Sequence, residues 1–242
     1  MNEFTWVFLI ALILMTGIEL WLSLRQGRHV FAHRDKIPEA FKAEVSLDAH
    51  QKAADYTQAK GKLGRIESVF GMILLVAWTL GGGLAVLSDA WLSLGLPDAV
   101  TGIIFMLSFF IIGSLIELPL SWYKTFVLEE RFGFNNNTPT LFLSDLAKQT
   151  LLMIALGAPL IWAALWLMNS TGEYWWLYLW AAWIGFGLLM MWAYPAFIAP
   201  LFNKFTPLED EQLKARVEGL LARCGFKSQG IYVMDGSRRS GH

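Results

Sequence analysis

The sequence predicts an all-α multi-pass membrane protein: five transmembrane helices, cytoplasmic surface helices, and then the helix and strand that begin an incomplete α+β domain. Three observations carry that expectation. At 55% hydrophobic and 16% charged residues, with a mean hydropathy of +0.46, the chain lies outside the usual soluble range. Five apolar stretches, near residues 4–24, 66–87, 101–122, 150–168 and 174–201, approach the roughly 20 helical residues that cross a hydrocarbon core of about 30 Å. All 19 Lys and Arg fall in alternate intervening segments, with nine in 25–65, three in 123–148 and seven after residue 202. Segments 88–100 and 169–173 hold none, so the positive-inside rule places the basic segments and the tail in the cytoplasm and the N-terminus outside.

The first stretch, Phe4 to Leu24, lacks a basic n-region, exceeds a typical signal-peptide core and precedes its positive cluster, so it reads as an anchor. Glu19, near its end, is close enough to the interface to be solvated. The segment Arg25–Arg65 is too charged for the bilayer, and its part from Pro38 to Lys62 has helix-forming composition. Surface helices are expected there, with i,i+4 positions such as Asp48–Lys52 and Asp55–Ala59 giving patchy support. The second stretch contains Gly81-Gly82-Gly83, which favours close helix packing, with a hinge as the alternative. The third carries Glu117 followed by Pro119. A carboxylate in hydrocarbon is costly and usually faces a bundle interior or water, which makes Glu117 the candidate lining of a polar cavity. Trp122-Tyr123 and Tyr174-Trp175-Trp176 fit aromatic belts at the interfaces.

After the fifth stretch the pattern turns soluble. Thr206-Pro207-Leu208-Glu209 has the form of a capping box, so a helix is expected from there, with Leu213, Val217, Leu220 and Leu221 on its apolar face and Gly225 at its stop. Residues 230–234 then read as a short strand. One helix and one strand cannot bury a core, which suggests a domain that these residues begin and do not finish. The alternative is pairing with a partner protein or the first cytoplasmic loop.

Few residues suggest chemistry. The lone Cys224 allows no intrachain disulfide. His29 and His33 have the i,i+4 spacing of a two-imidazole metal site, but Val30 stands where a zinc-protease motif needs Glu. GxSxG, Walker and CxxC motifs are absent, and no composition bias suggests nucleic acid as a partner.

Five segments in register resemble the CAAX prenyl protease 1 type of integral-membrane zinc metallopeptidase. They are WLSLRQGRHVFAHRDKIPEAF, DYTQAKGKLGRIES, LEERFGFNNNTPTLFLSD (Leu128–Asp145), YPAFIAPLFNKFTPLED (Tyr194–Asp210) and MDGSRRSGH (Met234–His242). The last resembles the start of the family's edge-strand motif, which makes Ser240 and His242 candidate substrate-binding residues. The resemblance implies a membrane-embedded domain over residues 1–202, and the beginning of a cytoplasmic, zincin-like peptidase domain over 203–242. It also implies helices around a water-filled chamber, a lipid bilayer as surroundings, a peptide substrate and zinc in the full-length family. HExxH does not occur in these 242 residues. No catalytic or metal residue is therefore assigned, this chain alone is expected to bind no zinc, and it is expected to be inactive. The expected function is that of the N-terminal part of a membrane metalloendopeptidase acting on prenylated or membrane-associated peptides, in a bacterial inner membrane or the endoplasmic reticulum. A catalytically silent membrane scaffold or binding protein is the alternative.

Overall fold

The computed structural model describes residues 2–226, 228, 230–239 and 241. The chain is mostly helical with one two-stranded sheet, and it divides into two compact units. One comprises Met1–Pro97 with Ser108–Asn135, the other Asp98–Leu107 with Asn136–His242.

In the first unit, α1 (Glu3–Ala32) starts at Asn2, whose side chain accepts the Thr5 amide at 2.9 Å. The next long helix, α2 (Leu47–Thr79), starts at Ser46, whose hydroxyl accepts the Ala49 amide at 3.2 Å. Its bounds correct two expectations. The surface helix and the second apolar stretch are one helix, because nothing between Leu47 and Arg65 breaks the backbone ladder. That helix then ends inside the apolar stretch, at Gly81-Gly82-Gly83. Gly82 adopts φ +79°, and α3 (Gly83–Leu92) leaves the axis of α2 at 47°. A Cβ on Gly81 would lie 2.7 Å from the Ala77 carbonyl oxygen, and one on Gly83 would lie 2.9 Å from the Trp78 ring. These are contacts with the last turn of α2, so the glycines serve a backbone break and not the approach of another helix.

Helix α4 (Asp98–Tyr123) contains Pro119 and continues through a π-helical turn (Lys124–Glu129) into the short α5 (Glu130–Phe132). In the second unit, α6 (Pro139–Ser170) begins under Thr138, whose hydroxyl accepts the Leu141 amide at 3.2 Å, with Pro139 at its first position. It is followed by α7 (Trp175–Ala193), a π-helical turn (Tyr194–Ile198) containing Pro195, and α8 (Ala199–Phe202).

The tail departs from expectation at its start. Thr206 and Pro207 lie in strand β1 (Phe205–Pro207), so the expected capping box does not form. The cap of α9 (Glu211–Arg223) is instead Asp210, whose carboxylate accepts the amides of Gln212 and Leu213, both at 3.0 Å. Gly225, at φ +73°, follows the end of α9, as its sequence position suggests. The expected lone strand is β2 (Tyr232–Met234), and it has a partner within the chain: it pairs antiparallel with β1, Thr206 opposite Val233.

Four helical segments are long and apolar enough to cross a membrane: Glu3–Ala32, Asp98–Phe132, Pro139–Ser170 and Gly172–Phe202. The bent pair α2 and α3 makes a fifth if it counts as one span. Large apolar side chains along them are exposed, among them Val86 at 71% and Met191 at 76%. For a multi-pass membrane protein such side chains face lipid, while the backbone is satisfied inside each helix.

Candidate functional site

The π-helical turn and the loop after it build a side-chain cluster of the first unit around Tyr56. Gly133, at φ +76°, ends α5. Its amide donates to the Glu130 carbonyl at 3.0 Å and the Phe134 amide to the Glu129 carbonyl at 3.0 Å, the paired bonds of a Schellman turn. That turn sets Phe132 and Phe134 against Tyr56 of α2, with ring centroids at 5.2 and 4.9 Å in edge-on geometry. The Tyr56 hydroxyl donates to Glu129 Oε1 at 2.8 Å. Burial and then the bond to Glu129 push the phenol up to about 12, so it stays protonated and donating across neutral pH. Asn135 adds a bond to Glu130 at 2.8 Å. Every named residue of the segment EERFGF thus has a structural task, either making the turn or holding α2.

A second clasp joins the turn after α1 to α2. Arg34 donates to both carboxylate oxygens of Asp55 at 2.8 Å, a bidentate pair. It draws Asp55 across to the turn after α1, not along its own helix towards Ala59. Among the described residues Asp48 and Lys52 form no ion pair, and the Lys52 ammonium lies over the Phe134 ring at 5.8 Å. The bond to Arg34 holds the Asp55 carboxyl below its ordinary 3.8, so the clasp persists at neutral pH and is lost only as pH falls below that range.

In the second unit Arg239 is enclosed by acceptors. Its Nε donates to Asp145 Oδ2 at 2.6 Å, its Nη2 to Asp145 Oδ1 at 3.2 Å and to the Phe202 carbonyl at 2.6 Å, and its Nη1 to Asn203 Oδ1 at 2.8 Å. Asp145 is buried, and its carboxylate raises the guanidinium above its already high ordinary value. Lys148 stands one turn along α6, 4.0 Å from Asp145, and donates to the Leu201 carbonyl at 2.9 Å. Asn136 completes the attachment, with its amide donating to the Arg239 carbonyl at 3.3 Å and its side chain to the Ser237 carbonyl at 2.8 Å. The segment after β2 is therefore pinned to the start of α6 and the end of α8. Sequence reading misses this centre, since an Asp in LFLSD and an Arg about a hundred residues later carry no local sign of each other. The one available signal is Asp145 itself, a carboxylate opening an apolar run.

The residues singled out from sequence are dispersed. Glu117 is exposed on α4, two positions before Pro119. Glu19, also exposed, accepts the Ser68 hydroxyl at 2.8 Å. His29 and His33 face each other with ring centroids 4.3 Å apart, but the His33 ring donates to the His29 carbonyl at 2.9 Å and the His50 ring to the His33 carbonyl at 3.0 Å. These nitrogens serve the end of α1 and the loop after it. Ser240 and His242 lie outside the described residues. Among the described residues no three His, Cys, Asp or Glu side chains converge as a metal donor set. The described residues do not fit a zinc centre, and no chemical step through zinc is derived from them.

Residues 26–204 match the family model described as the CAAX prenyl protease N-terminal, five membrane helices. The chain is 33% identical to a CAAX prenyl protease 1 homolog of Dictyostelium discoideum over 92% of this chain and 53% of that protein. It is 31% identical to CAAX prenyl protease 1 of Saccharomyces cerevisiae over 93% of this chain and 52% of that one. The crystal structure of S. mikatae Ste24p superposes with a TM-score of 0.86 at 29% identity, covering 96% of this chain and 54% of that one. The chain spans about half the length of the curated relatives it matches.

Proposed function

The chain belongs to the CAAX prenyl protease family of integral-membrane zinc metalloproteases, and we propose on that footing that residues 1–242 form the membrane portion of an endopeptidase for prenylated or membrane-associated peptides. The observation that carries this reading is the Arg239 centre. Arg239 stands in the segment that resembles the start of the family's edge-strand motif, and four donated bonds fasten it to Asp145, Asn203 and the Phe202 carbonyl. A peptide-binding strand following Arg239 would be held at a fixed place beside the membrane helices. In this reading Ser240 and His242, next along the chain, contribute to the peptide subsite, and Glu117 lines a polar chamber.

Zinc and the base that acts with it belong to residues other than those described. The 242-residue chain alone is accordingly expected to show no chelator-sensitive proteolysis. Joined to the remaining half of the Saccharomyces cerevisiae relative, it is expected to cleave a prenylated CAAX peptide, with cleavage abolished by a zinc chelator. Zinc-dependent cleavage by the unjoined chain would refute the reading. A folded but inactive chimera would replace it with the catalytically silent scaffold.

The proposed orientation puts the N-terminus outside and the basic segments in the cytoplasm, because acids alone occupy the segments between the other ends of the helices. Cys224, the single cysteine, is exposed at the end of α9 and reports on this directly. A membrane-impermeant maleimide is expected to label it only after the cells are opened. Labelling in intact cells would reverse the topology.

A further inference from the structure

We propose that a cleft between α1 and α2 binds the phosphate of an anionic phospholipid headgroup. The cleft holds about 370 Å³, within the range of small-molecule sites, and its lining includes Ser23, Gln26, Tyr56, Thr57, Lys60 and Arg65. All six carry hydrogen-bonding groups, two are cations and none is a carboxylate. Arg65 donates to the Ser23 hydroxyl at 3.2 Å, and the Lys60 ammonium rests over the Tyr56 ring at 5.7 Å. Neither cation has a carboxylate within ion-pair distance among the described residues. Two unneutralised cations converging with the Ser23 hydroxyl and the Gln26 amide suit a phosphate oxyanion, which accepts from all of them.

Two glycines, Gly27 and Gly61, line the cleft. Gln58 donates its amide to the Gly27 carbonyl, which fixes the helix approach, and a Cβ on Gly61 would lie 3.6 Å from the Arg65 guanidinium. Its depth selects a lipid over a soluble anion. Ser23 is the penultimate residue of the first apolar stretch and Arg65 directly precedes the second, so the cleft lies where hydrocarbon gives way to headgroups. Beside it Arg25 stacks over Trp21 at 5.5 Å, an interfacial aromatic with a basic partner. Basic pockets between membrane helices at this level recognise anionic headgroups by charge and hydrogen bonding together.

The test is lipid retention by the 242-residue chain, purified from nanodiscs holding equal phosphatidylcholine and phosphatidylglycerol and read by native mass spectrometry. The wild type is expected to retain phosphatidylglycerol roughly tenfold or more over phosphatidylcholine. Lys60→Gln with Arg65→Gln should remove that preference. Gly61→Leu, which fills the cleft and keeps every charge, should remove it too, and as a better helix former it does not depend on a destabilised fold. Lys62→Gln, an equal loss of charge outside the lining, should leave it intact. Equal losses from Lys62→Gln and from the paired variant would assign the preference to diffuse surface charge and overturn the proposal. So would a wild type without preference, or a Gly61→Leu chain that keeps it. Displacement of the lipid by inorganic phosphate at millimolar concentration would make the ligand a soluble phosphate and overturn the lipid assignment.

Discussion

Asp145→Ala is expected to free the tail from the membrane helices while leaving those helices folded. Asp145 is 7% exposed and accepts two charge-assisted bonds from Arg239, whose side chain is 24% exposed. Truncating one member of a buried pair leaves the other charge desolvated and unpaired, which costs about 3 kcal/mol at the lower end of measured cases. In this centre a second cation aggravates the loss, because Lys148 lies 4.0 Å from the same carboxylate and would then face Arg239 without it. Arg239→Ala should cost less, since Asp145 keeps Lys148 as a partner. The asymmetry between the two variants separates this centre from a simple ion pair. Limited proteolysis at Lys204, Lys214 and Arg216 measures it: cleavage should accelerate roughly a hundredfold in Asp145→Ala and by a smaller factor in Arg239→Ala. The double variant should fall well short of the summed effects, the mark of direct coupling. Equal cleavage rates in wild type and Asp145→Ala would show that the tail is held by something else.

Replacing Gly81, Gly82 and Gly83 together by alanine is expected to straighten the second membrane helix. Each substitution gains about 1 kcal/mol of helix propensity, roughly 3 kcal/mol in favour of a continuous helix. At Gly82 the present φ of +79° would cost alanine a further 1–2 kcal/mol or so. A Cβ at position 81 would also sit 2.7 Å from the Ala77 carbonyl oxygen, a distance at which the backbone must move. All three terms favour the straight form. Only the packing of α3 opposes it, and α3 has no buried residue and is tied to α4 by the Trp91 indole donating to the Ser108 hydroxyl at 2.9 Å. Spin labels on α2 near Ile73 and on α3 near Trp91 should therefore move apart as the 47° bend relaxes. An unchanged distance distribution would locate the bend in tertiary packing and not in the glycines.

Much of the architecture is legible in the sequence because hydrocarbon imposes a coarse rule, about 20 apolar residues per crossing, and charge marks the ends. What sequence misses lies where local chemistry fits two structures at once. Thr206-Pro207-Leu208-Glu209 can open a helix, yet Thr206 and Pro207 fall opposite Val233 and Tyr232, and the strand pairing wins while Asp210 supplies the cap. The residues 47–65 look like a separate surface helix because their polarity ends near Ile66, but a change in polarity is not a change in backbone. The Arg239 centre is illegible for another reason. Its members are 94 positions apart, and only the fold brings them within 2.6 Å.

The length of α2 has a mechanical meaning. Its 33 residues make an unbroken rod of about 50 Å, gripped at its polar end by Arg34, Phe132 and Phe134 and ending at the glycine bend. Such an arrangement is a lever with its pivot at Gly82. No loop interrupts the helix at the bilayer surface, so the position of its polar end and the start of α3 are joined by one continuous backbone ladder.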